Sequence, residues 1–228
     1  MSDLVQLLPL AILGAVLGLD VVSFPQAMFS RPIVAATAAS TLLGNPLPGL
    51  IVGATLEMFA LETLPFGASR YPEWGSAAVI GGGLYAAHGD ASAGALTVAV
   101  LASLVAAWIG SWSMVQLRKL NAQLARKRHE AVAAGSKRVV EGLQVFGLTA
   151  DFVRGGLLTG ALLAIYAPMQ AWVLGRWASD ARVSRAVVVG IAASVAAGAV
   201  WKVVHAAPGA RFLLPIGLAI GLAILATR

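Results

Sequence analysis

The amino-acid sequence predicts an all-α integral membrane protein, a polytopic helical bundle with re-entrant or broken helices in its N-terminal half. Hydrophobic residues make up 59% of the chain and charged residues 11%, against about 45–50% and 25% in soluble domains. Mean hydropathy is +0.84. Proline and glycine clusters cut several apolar segments short, which predicts the broken helices because the backbone freed at membrane depth must face protein or a wet cavity.

Apolar segments follow one another along the whole chain. We place them at residues 4–22, 33–43, 47–61, 74–88, 93–115, 153–175, 183–204 and 211–226. A helix needs about 20 residues to cross the hydrocarbon core of a bilayer. The first segment lacks the basic start and the cleavage site of a signal peptide, so we expect it to be retained as a span.

The second and third segments are too short to cross a bilayer alone. The six residues from Gly44 to Gly49 separate them, and two prolines and two glycines in this stretch must break a helix. This pattern predicts a re-entrant hairpin beside a transport cavity; the alternative is two ordinary helices joined by an external turn. A second break is predicted at Pro65–Ala68 and Pro72.

Four pairs of glycines stand four residues apart in apolar surroundings, which predicts close helix packing. These pairs are Gly14/Gly18, Gly49/Gly53, Gly156/Gly160 and Gly217/Gly221. A run of three glycines, Gly81–Gly83, is interpreted in the same way.

Residues 116–142 form the one long polar stretch and divide the chain into three regions. An N-terminal membrane region is expected over 1–115 and a C-terminal one over 143–228. The stretch between them holds seven bases and two acids, so the positive-inside rule places it in the cytoplasm. Its apolar residues recur at helical spacing, which favours an amphipathic helix lying on the inner leaflet over a surface for a soluble partner. Bases between apolar spans make nucleic-acid binding a poor explanation of the net charge of +6.

Charged residues inside apolar segments are costly and therefore indicate function. They are Asp20, Arg31, Glu57, Glu62 and Arg70. Gly49, Gly53 and Glu57 fall on one helix face, which could admit a sugar ring against a carboxylate that accepts hydroxyl hydrogen bonds. The alternative for Glu57 is an ion pair with Arg31 or Arg70 that fixes helix register.

The sequence shows no arrangement typical of an enzyme. The three histidines are scattered, cysteine is absent, and neither metal-ligand spacing nor a phosphate-binding glycine loop occurs. We therefore expect no catalytic residue, no metal and no cofactor, and we expect that whatever energises transport is not on this chain.

An ordered series of short motifs in the first third of the chain carries a family resemblance. The series runs Asp20, Gln26, Ser30–Ala35, Leu43–Pro46, Gly49–Glu57, Leu64–Ala68 and Arg70–Glu73. It resembles the IIC membrane subunit of the mannose/fructose/sorbose family of the bacterial phosphotransferase system. Beyond residue 90 the similarity rests on hydropathy and length.

The resemblance implies a IIC subunit that binds a sugar and moves it across the bacterial inner membrane. It also implies a IID membrane subunit, IIA and IIB phosphocarrier proteins and an oligomer of the IIC–IID unit. The substrate-binding residues it implies are Glu57, with Gln26 and Arg31 as orienting groups, and Asp20, Arg70 and Glu73. Two other functions stay open: a membrane scaffold or receptor of the same fold without a phosphorelay, and an unrelated secondary transporter.

Overall fold

The computed structural model describes residues 4–21, 23–61, 70–88, 92–176 and 212–226, with isolated helical positions at 186–187, 190, 195, 197–198 and 200–201. These residues form helices and no strand. In chain order the helices are α1 Leu4–Asp20, α2 Pro32–Leu42, α3 Pro46–Ala60, α4 Trp74–His88, α5 Ala93–Lys127, α6 His129–Ala133, α7 Lys137–Arg176 and α8 Leu213–Ala226. The predicted segment 183–204 lies largely outside the described residues, but the helical fold class is confirmed.

Helices α2 and α3 form a tight hairpin. Each begins with a proline, Pro32 and Pro46, whose fixed φ suits the first helical position. Between them Gly44 adopts φ +90°, and the Asn45 side chain accepts a hydrogen bond from the Leu47 amide at 3.2 Å. With 11 and 15 residues the helices are about 17 and 23 Å long, too short to cross a core of about 30 Å. The predicted hairpin of short helices is confirmed.

Helix α4 lies at the centre of the bundle and contacts α1, α2, α3, α5 and α7. Its residues from Gly75 to Tyr85 are all buried. The three consecutive glycines let neighbours approach on every side: a Cβ on Gly82 would enter the Ala36 backbone, and one on Gly83 would lie 3.1 Å from Leu10. The interpretation of Gly81–Gly83 as a packing feature is confirmed.

The glycine pairs in α1, α3 and α7 also serve helix packing. A Cβ on Gly14 of α1 would collide with Thr159 of α7, and Cβ atoms on Gly156 and Gly160 would lie 3.4–3.5 Å from alanines of α1. The pair on α8, Gly217 and Gly221, differs because a Cβ on either glycine would have no described atom within 4 Å. Packing through that pair is not observed.

Helices α5 and α7 are long and apolar enough to cross a membrane. They contain 35 and 40 residues, or about 52 and 60 Å of helix, so both extend well beyond a bilayer core. Their extensions contain most of the polar stretch 116–142. Residues 116–127 are helical and belong to α5, which continues unbroken to Lys127; their place on the inner leaflet stays a prediction.

Candidate functional site

The segment between α1 and α2 is organised by Asp20, the last residue of α1. Its carboxylate is buried, with 2% of the residue exposed. One oxygen accepts a hydrogen bond from the Ala27 amide at 2.7 Å and the other from the Ser30 amide at 2.8 Å. A buried charge needs such partners. Asp20 thus fixes the path of this loop.

Within the loop, Gln26 and Met28 adopt left-handed backbone conformations with φ of +60° and +64°. Such conformations cost non-glycine residues about 1–3 kcal/mol each and cluster at ligand sites and switch regions. The side chains of Phe24, Met28 and Phe29 are exposed. The Asp20 carboxylate offsets the strain by binding the loop on both sides of Met28.

Arg31 and Glu57 form an ion pair at the open end of the hairpin. The second Glu57 oxygen accepts a hydrogen bond from the Ile33 amide at 3.3 Å, so the carboxylate from α3 caps the first turn of α2, where the helix dipole favours negative charge. The Arg31 and Glu57 side chains are 26% and 20% exposed. The pair is therefore accessible from outside the bundle.

The glycine face that leads to Glu57 is filled by α2. A Cβ on Gly53 would lie 2.7 Å from Ile33 Cα, and one on Gly49 would collide with the Ala36 carbonyl oxygen. The prediction that this face admits a sugar ring is wrong, because backbone of the neighbouring helix already occupies it. Of the two alternatives for Glu57, the structure contains the ion pair with Arg31.

Glu73 lies at the start of α4 and is fully buried. Its Oε1 accepts a hydrogen bond from the Ser76 amide at 3.0 Å, as expected of a residue that caps a helix. Its Oε2 is buried without a hydrogen-bond partner among the described residues. Gly110 makes room for this side chain, since a Cβ there would lie 3.0 Å from Oε2.

Arg70 stands apart from these groups. It is exposed, and its guanidinium lies 5.8 Å from the ring centroid of Trp108 on α5, a cation–π contact. Glu62 and Pro65–Ala68 lie outside the described residues. The structure thus brings together Asp20, Gln26, Arg31 and Glu57 along the loop and hairpin, and places Glu73 in the interior and Arg70 on the surface.

A buried ion pair on α7 was not predicted from the sequence. Arg154 Nε donates to Asp151 Oδ1 at 2.8 Å, and the side chains are 10% and 4% exposed. Arg154 also donates to Ser113 of α5 at 3.2 Å, and Ser23 of the loop donates to Asp151 at 2.6 Å. The sequence does contain a signal for this pair, because Asp151 and Arg154 carry opposite charges and stand three residues apart at the start of an apolar segment. The pair links the loop after α1 to α5 and α7.

The short-helix hairpin and the charged groups enclosed among apolar helices define an all-α integral membrane protein that holds a few charged groups in its interior. A solved structure described as "Structure of membrane protein" has the same fold, with a TM-score of 0.71 at 20% identity over 99% of this chain and 88% of that one. The described residues hold no group of three or more potential metal ligands.

The family profile described as the PTS system sorbose-specific IIC component matches residues 4–175. This chain belongs to that family, and the resemblance seen in its first third is confirmed. Mannose-specific EIIC components of Escherichia coli K12 and Shigella flexneri are 40% identical over 52 residues. The match covers 23% of this chain and spans only 20% of the length of each relative.

Proposed function

We propose that the chain is the sugar-translocating IIC component of a mannose/sorbose-type phosphotransferase permease. It binds a sugar and moves it across the inner membrane, where a IIB partner phosphorylates it. The observation that carries this proposal is the partly exposed Arg31–Glu57 pair beside the strained loop of Gln26, in a chain that belongs to the sorbose-type IIC family.

The Arg31–Glu57 pair has the chemistry that a polyol requires. A carboxylate offers about four lone-pair positions, and Glu57 uses one for Arg31 and one for the Ile33 amide. The remaining acceptors can take sugar hydroxyls, while the guanidinium of Arg31 carries five N–H donors in all. Hydrogen bonds to charged groups are about twice as strong as neutral ones.

The other predicted residues have supporting roles in this proposal. Gln26, which is exposed in the loop, orients the sugar with its amide, and Asp20 holds the loop in place. Glu73 has an oxygen without a hydrogen-bond partner among the described residues, which is available to a polar ligand when the bundle opens. Arg70 lies at the edge of the second break. Inside a membrane such ionisable groups mark substrate pathways by default.

The proposal includes partners and a location. IID completes the membrane unit, an oligomer of the IIC–IID pair, and the phosphoryl group travels through soluble IIA and IIB. The chain spans the inner membrane several times, with regions 1–115 and 143–228 in the bilayer. The α2–α3 hairpin is re-entrant, because neither helix is long enough to cross.

Glu57→Gln tests the proposed site. The amide keeps the volume but loses charge-assisted acceptance, worth about 1.5–3 kcal/mol, so we expect the affinity for the transported sugar to fall roughly tenfold to a hundredfold. Affinity for D-mannose and L-sorbose and thermal stability are measured on the detergent-solubilised complex. Glu141→Gln, which breaks the exposed pair with Lys137, is the matched control. Parental affinity with a lowered melting temperature would make Glu57 a purely structural residue.

A further inference from the structure

The end of α1 and the middle of α7 lie so close together that short side chains can meet between them. A Cβ on Gly18 of α1 would lie 3.6 Å from Gly155 Cα of α7, and a Cβ on Gly155 would lie 3.1 Å from Ala15 Cα. Asp151 stands one turn before Gly155 on the same face of α7. This glycine crossing therefore brings Ser23, in the loop after α1, within reach of the Asp151 carboxylate.

The Asp151 carboxylate is divided between the helices and the loop. Its Oδ1 accepts a hydrogen bond from Arg154 Nε at 2.8 Å, and its Oδ2 accepts one from the Ser23 hydroxyl at 2.6 Å. Arg154 Nη1 donates to Ser113 of α5 at 3.2 Å. The Asp151 side chain is only 4% exposed, so water competes little for either oxygen. Helices α5 and α7 thus hold one oxygen in place, and the other binds the loop.

Ser23 is one of two anchors that enclose Gln26 in the loop. The second anchor is the Ala27 amide, which donates to the Asp20 carboxylate at 2.7 Å. Only residues 24–26 lie between the two anchors, and Gln26 has a left-handed φ of +60°, which is costly for a residue other than glycine. Loss of the Ser23 anchor would therefore free this segment to leave its conformation.

We propose that Ser23 and Asp151 are positioning residues for sugar binding. This inference rests on the proposed function, in which Gln26 orients the sugar. Neither residue needs to touch the sugar, because they act through the backbone that sets the direction of the Gln26 side chain. Asp20 anchors the loop to α1, whereas Asp151 anchors it to α7. A shift of α7 against α1 would thus reach the sugar-orienting residue directly.

Two substitutions of Ser23 test the proposal. Ser23→Ala removes the hydroxyl that binds Asp151, and Ser23→Thr keeps a hydroxyl at the same position. Ser103→Ala is the matched control, because Ser103 is fully buried and its hydroxyl donates to the Ala99 carbonyl at 2.8 Å within α5. Three properties of the detergent-solubilised complex are measured: hydrogen exchange of the loop amides without sugar, affinity for D-mannose and L-sorbose, and thermal stability.

Ser23→Ala should speed exchange of the Ala27 and Ser30 amides, which both donate to Asp20. We expect a factor of roughly ten to a hundred, the change in an equilibrium constant that accompanies loss of a hydrogen bond to a charged group. The Kd for sugar should rise by up to the same factor, because only molecules with the loop in place bind. Ser23→Thr should restore both properties, and Ser103→Ala should leave both at the parental values.

Parental sugar affinity in Ser23→Ala, with or without faster exchange, overturns the positioning role and leaves the proposed function standing. An equal loss of affinity in Ser103→Ala also overturns it, because the effect is then general destabilisation. So does a loss in Ser23→Ala that Ser23→Thr fails to restore. A parental complex that binds neither sugar overturns the proposed function, and the positioning role with it.

Discussion

Gly82 is a residue at which close helix packing depends on a missing side chain. It faces the Ala36 backbone across the contact between α4 and α2, and a Cβ there would lie 2.8 Å from Ala36 Cα. Backbone cannot rotate away as a flexible side chain can. The separation of these two helices is therefore set by the glycine.

Gly82→Ala should destabilise the bundle by about 1–3 kcal/mol, the usual cost of overpacking a well-packed core. The measurement is thermal or denaturant unfolding of the purified protein in detergent. Gly142→Ala on α7 is the matched control, because no atom of the described residues lies within 4 Å of its Cβ position and alanine favours the helix. Equal stability of the two variants would contradict the conclusion that Gly82 sets the separation of α2 and α4.

Asp151→Asn should be strongly destabilising, because it leaves the charge of the largely buried Arg154 without its partner. Breaking a buried pair by removing one partner costs about 3–5 kcal/mol. Glu141→Gln breaks the exposed pair with Lys137, whose side chains are 87% and 61% exposed, and should cost about 0–1 kcal/mol. Unfolding midpoints of the two variants provide the comparison; similar midpoints would show that the α7 pair is dispensable.

Single polar residues of the proposed site could be predicted from the sequence, but their long-range contacts could not. Sequence alone singled out four residues of the proposed site because each is a polar residue in an apolar or family-specific context: Asp20, Gln26, Arg31 and Glu57. The bond from Ser23 to Asp151 joins residues 128 positions apart, and no local pattern reports it. The glycine face beside Glu57 was misassigned because spacing identifies a bare face but not what covers it.

At the scale of elements, the hairpin was predictable and the polar extension was not. Prolines at the first positions of α2 and α3 and glycines in the turn act locally, so the observed bounds fall within one or two residues of the prediction. Residues 116–127 have an amphipathic pattern and directly follow the apolar segment 93–115, which is also helical. Periodicity cannot tell whether such a segment starts a new helix or continues an old one.

The charge of the α5 and α7 extensions predicts their orientation. Seven bases and two acids lie within residues 116–142, and in the proposed function the positive-inside rule places a short stretch of this composition in the cytoplasm. A cysteine replacing Ala134, which is exposed after α6, should react with an impermeant maleimide in inverted vesicles and not in intact cells. Labelling of intact cells would reverse the proposed topology.

At the scale of the whole molecule, charge is separated along the chain. Residues 1–100 contain six acids and two bases, and residues 101–228 contain four acids and fourteen bases. The candidate sugar site lies in the first part, and the basic extensions lie in the second. In the proposed function this arrangement separates sugar recognition, at the loop and hairpin, from the side where a phosphorylated partner carrying negative charge approaches.

The chain by itself should neither accumulate nor phosphorylate sugar. In the proposed function the free energy for accumulation comes from the phosphoryl group carried by IIA and IIB, and a carrier without an energy source can only equalise concentrations across a membrane. Purified chain in liposomes should therefore give at most facilitated flux of D-mannose or L-sorbose, which stops when the two sides are equal. Adding IID, IIB, IIA and a phosphoryl donor should convert this flux into accumulation of sugar phosphate, and Glu57→Gln should lower the rate of both. Accumulation of unmodified sugar by the chain alone, driven by an imposed proton or sodium gradient, would contradict the phosphotransferase function and favour a secondary transporter.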